Sequence, residues 1–257
     1  MNFDVWLKKN EALIDWNLFS LPWDMMQLKY NPFRQEQIEA ILHSSGVLDL
    51  ESPVVLDLGC GPGILGKRIA IERPMLQYSG VDVDPLMLSA MQHLLVGIQI
   101  RALQIDLRKT EWSHGFRGHF DSVVSLTALH WLSQEHQKQT YKAAYDVLKP
   151  GGTFIVGDPY QPEDAEQRKL LETLHNELAS KQTGLTWEEF WKGFFEAYPI
   201  KEMYTEYHKQ QGYQIPFEGS DDGYFLSTHL KALREAGFNT VAVFWKEDLR
   251  AVYGGTK

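Results

Sequence analysis

Along most of the chain, apolar runs of strand length alternate with stretches whose apolar positions recur at helical spacing, the order that builds a parallel sheet covered on both faces. The first run opens the stretch 54–66, V-V-L-D-L-G-C-G-P-G-I-L-G, and passes through four glycines into a helical stretch at 64–71, with Leu65 and Ile69 inward and Lys67 and Arg68 outward. The second run, 76–81, ends at Asp82; Asp84 and Pro85 then read as the N-cap and first residue of a helix carrying Met87, Leu88, Met91, Leu94 and Leu95 toward the sheet. The third run, 98–105, ends at Asp106, and the fourth, 120–126, has Asp121 near its start and Ser125 near its end. A helix from Ser133 presents Tyr141, Ala144, Tyr145 and Leu148 on one face. It stops at Lys149-Pro150-Gly151-Gly152, before a fifth run at 153–156.

Either side of this core the alternation breaks. In the leader, residues 1–45, Trp6, Leu7, Leu13, Ile14 and Trp16 predict a short amphipathic helix that Leu21-Pro22-Trp23 ends. Asn31 and Pro32 predict the start of a second helix, with Phe33, Ile38, Ile41 and Leu42 inward and Gly46 as its stop. After the fifth run, residues 159–222 form an insertion. One helix is expected over 163–181, with Leu170, Leu171, Leu174 and Leu178 spaced for burial. A second opens on a capping box, Thr186-Trp187-Glu188-Glu189, and is rich in aromatics: Phe190, Trp191, Phe194, Phe195 and Tyr198. Those aromatics either line a cavity or pack the insertion onto the body. Order returns with a helix over 224–236, ended by Gly237. The runs 240–245 and 249–254 follow too closely for a crossover and must pair as an antiparallel hairpin.

Composition changes the picture mainly by exclusion. The chain has 257 residues, 44% of them hydrophobic, enough for one elaborated domain spanning 1–257. No apolar run is long enough to span a bilayer, and the start M-N-F-D-V-W-L-K-K lacks the order of a signal peptide, so a cytoplasmic protein without membrane contact is expected. The single cysteine, Cys60, rules out an intramolecular disulfide and a multi-cysteine metal site, and no metal is implied. Its place in the glycine turn suits a small space-filling residue better than a reactive thiol. A formal charge of -9 without clustered Lys and Arg argues against nucleic acid as partner. Oligomeric state cannot be read.

The glycine turn carries the chemistry. Gly61, Gly63 and Gly66 satisfy G-x-G-x-x-G, which taken alone suggests a dinucleotide such as NAD. Asp57 at the strand end opposes that reading, because it would stand beside a pyrophosphate; a ligand carrying an ammonium and a sulfonium would welcome it. The nine residues 55–63, V-L-D-L-G-C-G-P-G, closely resemble motif I of the class I S-adenosylmethionine-dependent methyltransferases. The segment Tyr30-Asn31-Pro32-Phe33-Arg34 resembles one that precedes motif I in the trans-aconitate-methyltransferase-like branch, Gly80-Val81-Asp82 matches the family's G-V-D, and F-D-S-V-V-S-L at 120–126 its motif IV.

The resemblance, over roughly 30–160 and 224–257, implies a doubly wound, seven-stranded, mostly parallel α/β sheet (a Rossmann-like methyltransferase fold) ending in an antiparallel hairpin, with a helical leader and a helical insertion after the fifth strand. It implies S-adenosylmethionine as cofactor and a small-molecule acceptor. Asp57, Gly59, Cys60, Gly61 and Gly63 would lie along the methionine part, with Tyr30 and Arg34 near its carboxyl end and Ser125 at the tip of the fourth strand. Arg34 could equally be a solvated cation on a helix end. Asp82 and Val83 would meet the ribose, Asp106 would accept from the adenine amino group, and Leu107 would supply a backbone amide. Asp84 is read as a helix cap. His130, four residues past the fourth strand, is the candidate general base, or else a packing residue. An NAD-dependent dehydrogenase and a non-catalytic cofactor-binding scaffold stand as alternatives.

Overall fold

The computed structural model describes residues 2–109, 111–212 and 223–257. The leader contains α1 (Phe3–Asn10), α2 (Asn17–Tyr30) and α3 (Arg34–Ser44). The core follows as β1 (Val54–Leu58), α4 (Ile64–Glu72), β2 (Gln77–Asp82), α5 (Pro85–Leu94), β3 (Gln99–Gln104), β4 (Phe120–Leu126), α6 (Gln134–Val147) and β5 (Leu148–Gln161). The insertion holds α7 (Ala165–Lys181), α8 (Trp187–Ala197) and α9 (Lys201–Gln210). The chain ends with β6 (Tyr224–Phe225), α10 (Leu226–Ala236), β7 (Ala242–Glu247) and β8 (Arg250–Thr256).

The sheet order is β3-β2-β1-β4-β5-β8-β7, and β6 adds two residues beside the end of β5. Strands β1 to β5 run parallel, so each connection must cross a face of the sheet. Strand order reverses between β1 and β4, which opens a crevice at their carboxyl ends. The hairpin at the end of the chain is antiparallel as expected. However, β8 pairs with both β5 and β7, so β7 and not the last strand is the edge. β5 is also longer than 153–156. It begins at Leu148, opposite Phe120, and a register shift between Phe120 and Ser122, with Gly151 at φ 79°, carries the ladder through Lys149-Pro150-Gly151-Gly152.

Both sheet faces are covered by continuous apolar clusters. One joins Leu56, Val123, Phe154 and Tyr253 to Tyr141 of α6 and Leu233 of α10; the other joins Val55, Val124 and Ile155 to Ile41 of α3, Leu65 of α4 and Met91 of α5. A third cluster lies outside the sheet. There Phe3, Trp16, Phe19 and Met26 of the leader pack with Phe190, Phe194 and Tyr207 of the insertion against Leu86 and Met87 of α5. The leader and insertion therefore make one aromatic-rich cap.

Four local expectations are corrected. Pro22 does not end a helix; it sits inside α2, where burial of Phe19 and Met26 offsets the backbone hydrogen bond that proline cannot make. Asn31 is not the side-chain cap of the next helix. α3 starts at Arg34, and the Asn31 amide donates instead to Gln37 Oε1 at 2.7 Å. No residue of α7 is buried, and Leu170 and Leu174 are 59% and 45% exposed. Periodicity marks an apolar face but does not supply a neighbour to cover it. Helix α9 was not anticipated, because its apolar positions are mostly tyrosines among charged residues. The capping box on α8, the Asp84 cap on α5 and the left-handed Gly237 after α10 are as expected. The last residues assigned to the insertion, 213–222, lie outside the described residues. Among the described residues, no helix is long and apolar enough to cross a membrane.

Candidate cofactor and acceptor site

The glycine loop is fixed at the crevice by backbone geometry. Gly59, Gly61 and Gly63 all have positive φ (71°, 53° and 84°), which L side chains rarely adopt. A Cβ on Gly59 would stand 2.4 Å from Ala128 Cβ, and one on Gly63 would stand 2.6 Å from Met91 Cγ, whereas one on Gly61 would meet nothing within 4 Å. Gly61 therefore leaves its side of the loop open for a ligand. The loop is tied to β2, because the Gly59 and Cys60 N–H groups donate to Val81 O and Gly61 N–H donates to Asp82 Oδ2 at 2.9 Å. Cys60 fills space beside Met91, its sulfur 3.7 Å from Sδ. Burial pushes its thiol well above its ordinary range, so the reactive-thiol reading falls.

Acids close the carboxyl ends of three adjacent strands. Asp57 is buried; Tyr78 O–H donates to Oδ2 at 2.5 Å, while Oδ1 has no partner among the described residues. Burial pushes its carboxyl up to about 7, the Tyr78 bond opposing and the Asp82 charge adding. Asp82, also raised by burial, to about 6, accepts from Gly61 N–H and from Asp84 N–H at 3.0 Å. Half-buried Val83 follows it, and the Val83 carbonyl accepts from Gln104 Nε2. Asp106 is gripped by the Arg108 fork, with Nε and Nη2 each at 2.9 Å. Burial alone would raise this carboxyl, but the Arg108 bonds outweigh it and hold it below the usual range. A cleft of about 440 Å³ opens here, lined by Asp4, Gln104, Ile105, Asp106, Trp112 and Tyr207, and Leu107 packs behind it against the α6 cluster.

The remaining residues divide sharply. Arg34 is buried, so the solvated reading is overturned: Nε pairs with Asp24 at 3.0 Å and Nη1 donates to Thr127 Oγ1 at 3.5 Å. Thr127 holds φ at 50°, a strained value for a β-branched residue, just where β4 enters the crevice. Tyr30 is 43% exposed and joins two elements, its hydroxyl accepting from Trp187 N–H and its carbonyl from Arg250. Ser125 is fully buried and donates to Leu58 O at 2.7 Å, a bond between β4 and β1. His130 is buried against Asp158, which accepts from its backbone N–H at 2.9 Å and lies 2.8 Å from Nδ1. Asp158 had not been anticipated. Yet it is a fourth acid after an apolar run, and that recurrence was the available signal.

A family model described as a methyltransferase domain matches residues 55–152. An uncharacterized methyltransferase of Mycobacterium bovis is 33% identical over 121 residues, 46% of this chain and 58% of the relative. A trans-aconitate 2-methyltransferase of Deinococcus radiodurans is 30% identical over 136 residues, 51% of this chain and 47% of the relative. An 18S rRNA (guanine-N(7))-methyltransferase of Schizosaccharomyces pombe is 29% identical, over 49% of this chain and 48% of the relative. Residues 55–152 thus match a methyltransferase domain, and each of these relatives is itself named as a methyltransferase. The chain spans about half the length of the curated relatives it matches. The crystal structure of the S-adenosylmethionine-dependent methyltransferase SibL agrees on the fold, with a TM-score of 0.56 at 19% identity over 88% of this chain and 55% of that one.

The donor set of the site suits the cofactor that the motif I resemblance implies. An orphaned, buried carboxylate oxygen on Asp57 and an open face at Gly61 would meet a cationic ligand without the repulsion a pyrophosphate would suffer. Asp84 plays the structural part expected of it, accepting from Leu86 N–H at 2.8 Å, and its second oxygen takes the Tyr204 hydroxyl. Asp84→Ala should therefore lower unfolding free energy by about 1 to 3 kcal/mol, combining a lost cap with a stranded tyrosine hydroxyl. Urea denaturation reads this directly, and unchanged stability would show the cap to be dispensable.

Proposed function

We propose that this chain transfers the methyl group of S-adenosylmethionine to a small-molecule acceptor. The observation that carries the reading is the set of acids ending β1, β2 and β3 around an open glycine loop, with Asp57 Oδ1 buried and unpaired among the described residues. When bound, S-adenosylmethionine supplies a methyl group already made electrophilic by the sulfonium. The protein has to align and dry the site rather than activate the donor. Asp57 holds the ammonium and sulfonium end, beside the backbone of Gly59, Cys60, Gly61 and Gly63. Arg34 holds the carboxylate, with Tyr30 fixing the leader beside it. Asp82 and Val83 take the ribose, and Asp106 with the Leu107 amide takes the adenine. Ser125 acts indirectly, by fixing β4 to β1 beneath the loop.

His130 is the general base of this reading. A carboxylate 2.8 Å from Nδ1 selects the tautomer protonated there and leaves Nε2 as the nitrogen that accepts a proton from the acceptor hydroxyl or amine. The cap of leader and insertion excludes water. Saturating S-adenosylhomocysteine should accordingly slow proteolysis within α1, α2 and α7 to α9 more than within the sheet. Equal protection everywhere would make the cap fixed packing.

A second reading, an RNA acceptor, draws on the relative from Schizosaccharomyces pombe, whose name specifies 18S rRNA. The net charge of -9 favours the small molecule. Calorimetry with S-adenosylmethionine and NAD tests the cofactor. Labelled-methyl transfer into a metabolite extract or into total RNA tests the acceptor, and label confined to RNA would overturn the small-molecule proposal. Absence of transfer to either would favour a cofactor-binding scaffold.

A further inference from the structure

The aromatics of the insertion were expected either to line a cavity or to pack onto the body, and its last helix lies beside the ends of β2 and β3. α9 sits over the carboxyl ends of β2 and β3. The Tyr204 hydroxyl donates to Asp84 Oδ2, and His208 Nε2 lies 3.5 Å from the same oxygen. One turn on, the Tyr207 hydroxyl accepts from Gln104 Nε2 at 2.5 Å, and Gln104 also reaches the Val83 carbonyl at 3.3 Å. α1 braces this arrangement from outside: Phe3, 1% exposed, sets its ring 5.2 Å from Tyr204 and 5.4 Å from Tyr207. Tyr207 and Asp4 line the same 440 Å³ cleft as Asp106.

We propose that α9 is the outer wall of the adenosine pocket, with Tyr207 a residue that contacts the adenosine half of the ligand and the Tyr204–Asp84 bond a latch that opens for cofactor exchange. This rests on the S-adenosylmethionine reading above. The physical case is one of placement and strength. Ile105 and Asp106, just past the end of β3, line the cleft together with Tyr207 of α9, so a nucleoside entering it would meet both. Tyrosine offers such a ligand a flat apolar ring with a polar tip, and here the tip is already fixed by Gln104. Asp84 is a good anchor because its other oxygen is committed to the α5 N-terminus. Burial also keeps the Tyr204 hydroxyl protonated, hence a donor to a carboxylate. A merely structural tyrosine would show itself in stability. A latch shows itself in rates.

The test uses the full chain with S-adenosylhomocysteine and adenosine as probes. Tyr204→Phe keeps the ring against Phe3 and removes only the latch. Both association and release of S-adenosylhomocysteine should become about tenfold faster or more, with Kd nearly unchanged, the factor expected for one hydrogen bond to a charged group. Amide exchange over 201–210 in the free protein should rise in parallel. Tyr207→Ala should weaken adenosine and S-adenosylhomocysteine by a common factor of about ten or more, since both carry the half that the wall contacts. Unchanged rates in Tyr204→Phe together with unchanged adenosine affinity in Tyr207→Ala, in folded proteins, would overturn the proposal. Failure of the wild-type chain to bind S-adenosylhomocysteine at all would overturn the cofactor reading instead.

Discussion

Replacing Asp82 by alanine should weaken S-adenosylmethionine binding by roughly 2 to 4 kcal/mol, a loss calorimetry reads directly. Two charge-assisted hydrogen bonds to the ribose hydroxyls would account for that magnitude. The structure adds a second contribution, because Asp82 Oδ2 also accepts from Gly61 N–H and so holds the glycine loop in place. Asp82→Asn separates the two. An amide retains one carbonyl oxygen for the loop but loses the charge, so its cost should fall between those of wild type and alanine. Unchanged affinity in a folded Asp82→Ala protein would remove Asp82 from the site.

The same two buried carboxyls give the site a pH signature in which stability and affinity move in opposite directions. Asp57 and Asp82 are raised by burial to about 7 and about 6, above the 3.8 of the unfolded chain. The folded state therefore holds these protons more tightly, and their contribution to stability is lost as pH rises from about 4 to about 7. A cationic ligand prefers the ionised carboxylates, so its affinity should rise over the upper part of that range. In thermal melts, the shift in Tm produced by S-adenosylmethionine should grow as pH rises through about 6 and about 7. A shift that stays constant across that range would show that neither carboxyl meets the ligand.

What could be read from the chain alone follows from how local each signal is. The strands β1 to β4, the caps at Asp84 and Thr186 and the final hairpin are encoded in short apolar runs, single capping residues and a two-residue turn, so neighbours in sequence suffice to see them. The order in which strands pair is not local and was not read from the chain. The cap was harder for the same reason. Leu170 and Leu174 of α7 present a regular apolar stripe that lies exposed, while α9, with no comparable stripe, packs Tyr207 into the aromatic cluster through partners about 200 residues away. At the site, Asp57, Asp82 and Asp106 were visible as acids after apolar runs. Asp158 obeys the same rule and was passed over, because it stands before Pro159 at the boundary of the insertion rather than before a turn of the core.

Asp158 matters most for the last prediction, that His130→Gln should lower turnover by about 10² to 10⁴ while leaving S-adenosylhomocysteine affinity unchanged. Glutamine can keep a hydrogen bond to Asp158 but cannot accept the acceptor's proton. Asp158→Asn provides the independent check. It would no longer favour the Nδ1-protonated tautomer, so turnover should fall without the base itself being removed, and the loss should be smaller than for His130→Gln. Both residues are buried, at 7% and 1% exposure, so each variant must first be shown to melt as a folded protein. If His130→Gln turns over near the wild-type rate on an identified acceptor, the pair is a structural tie between the loop after β4 and the end of β5. Methyl transfer would then depend on alignment in a dry pocket alone.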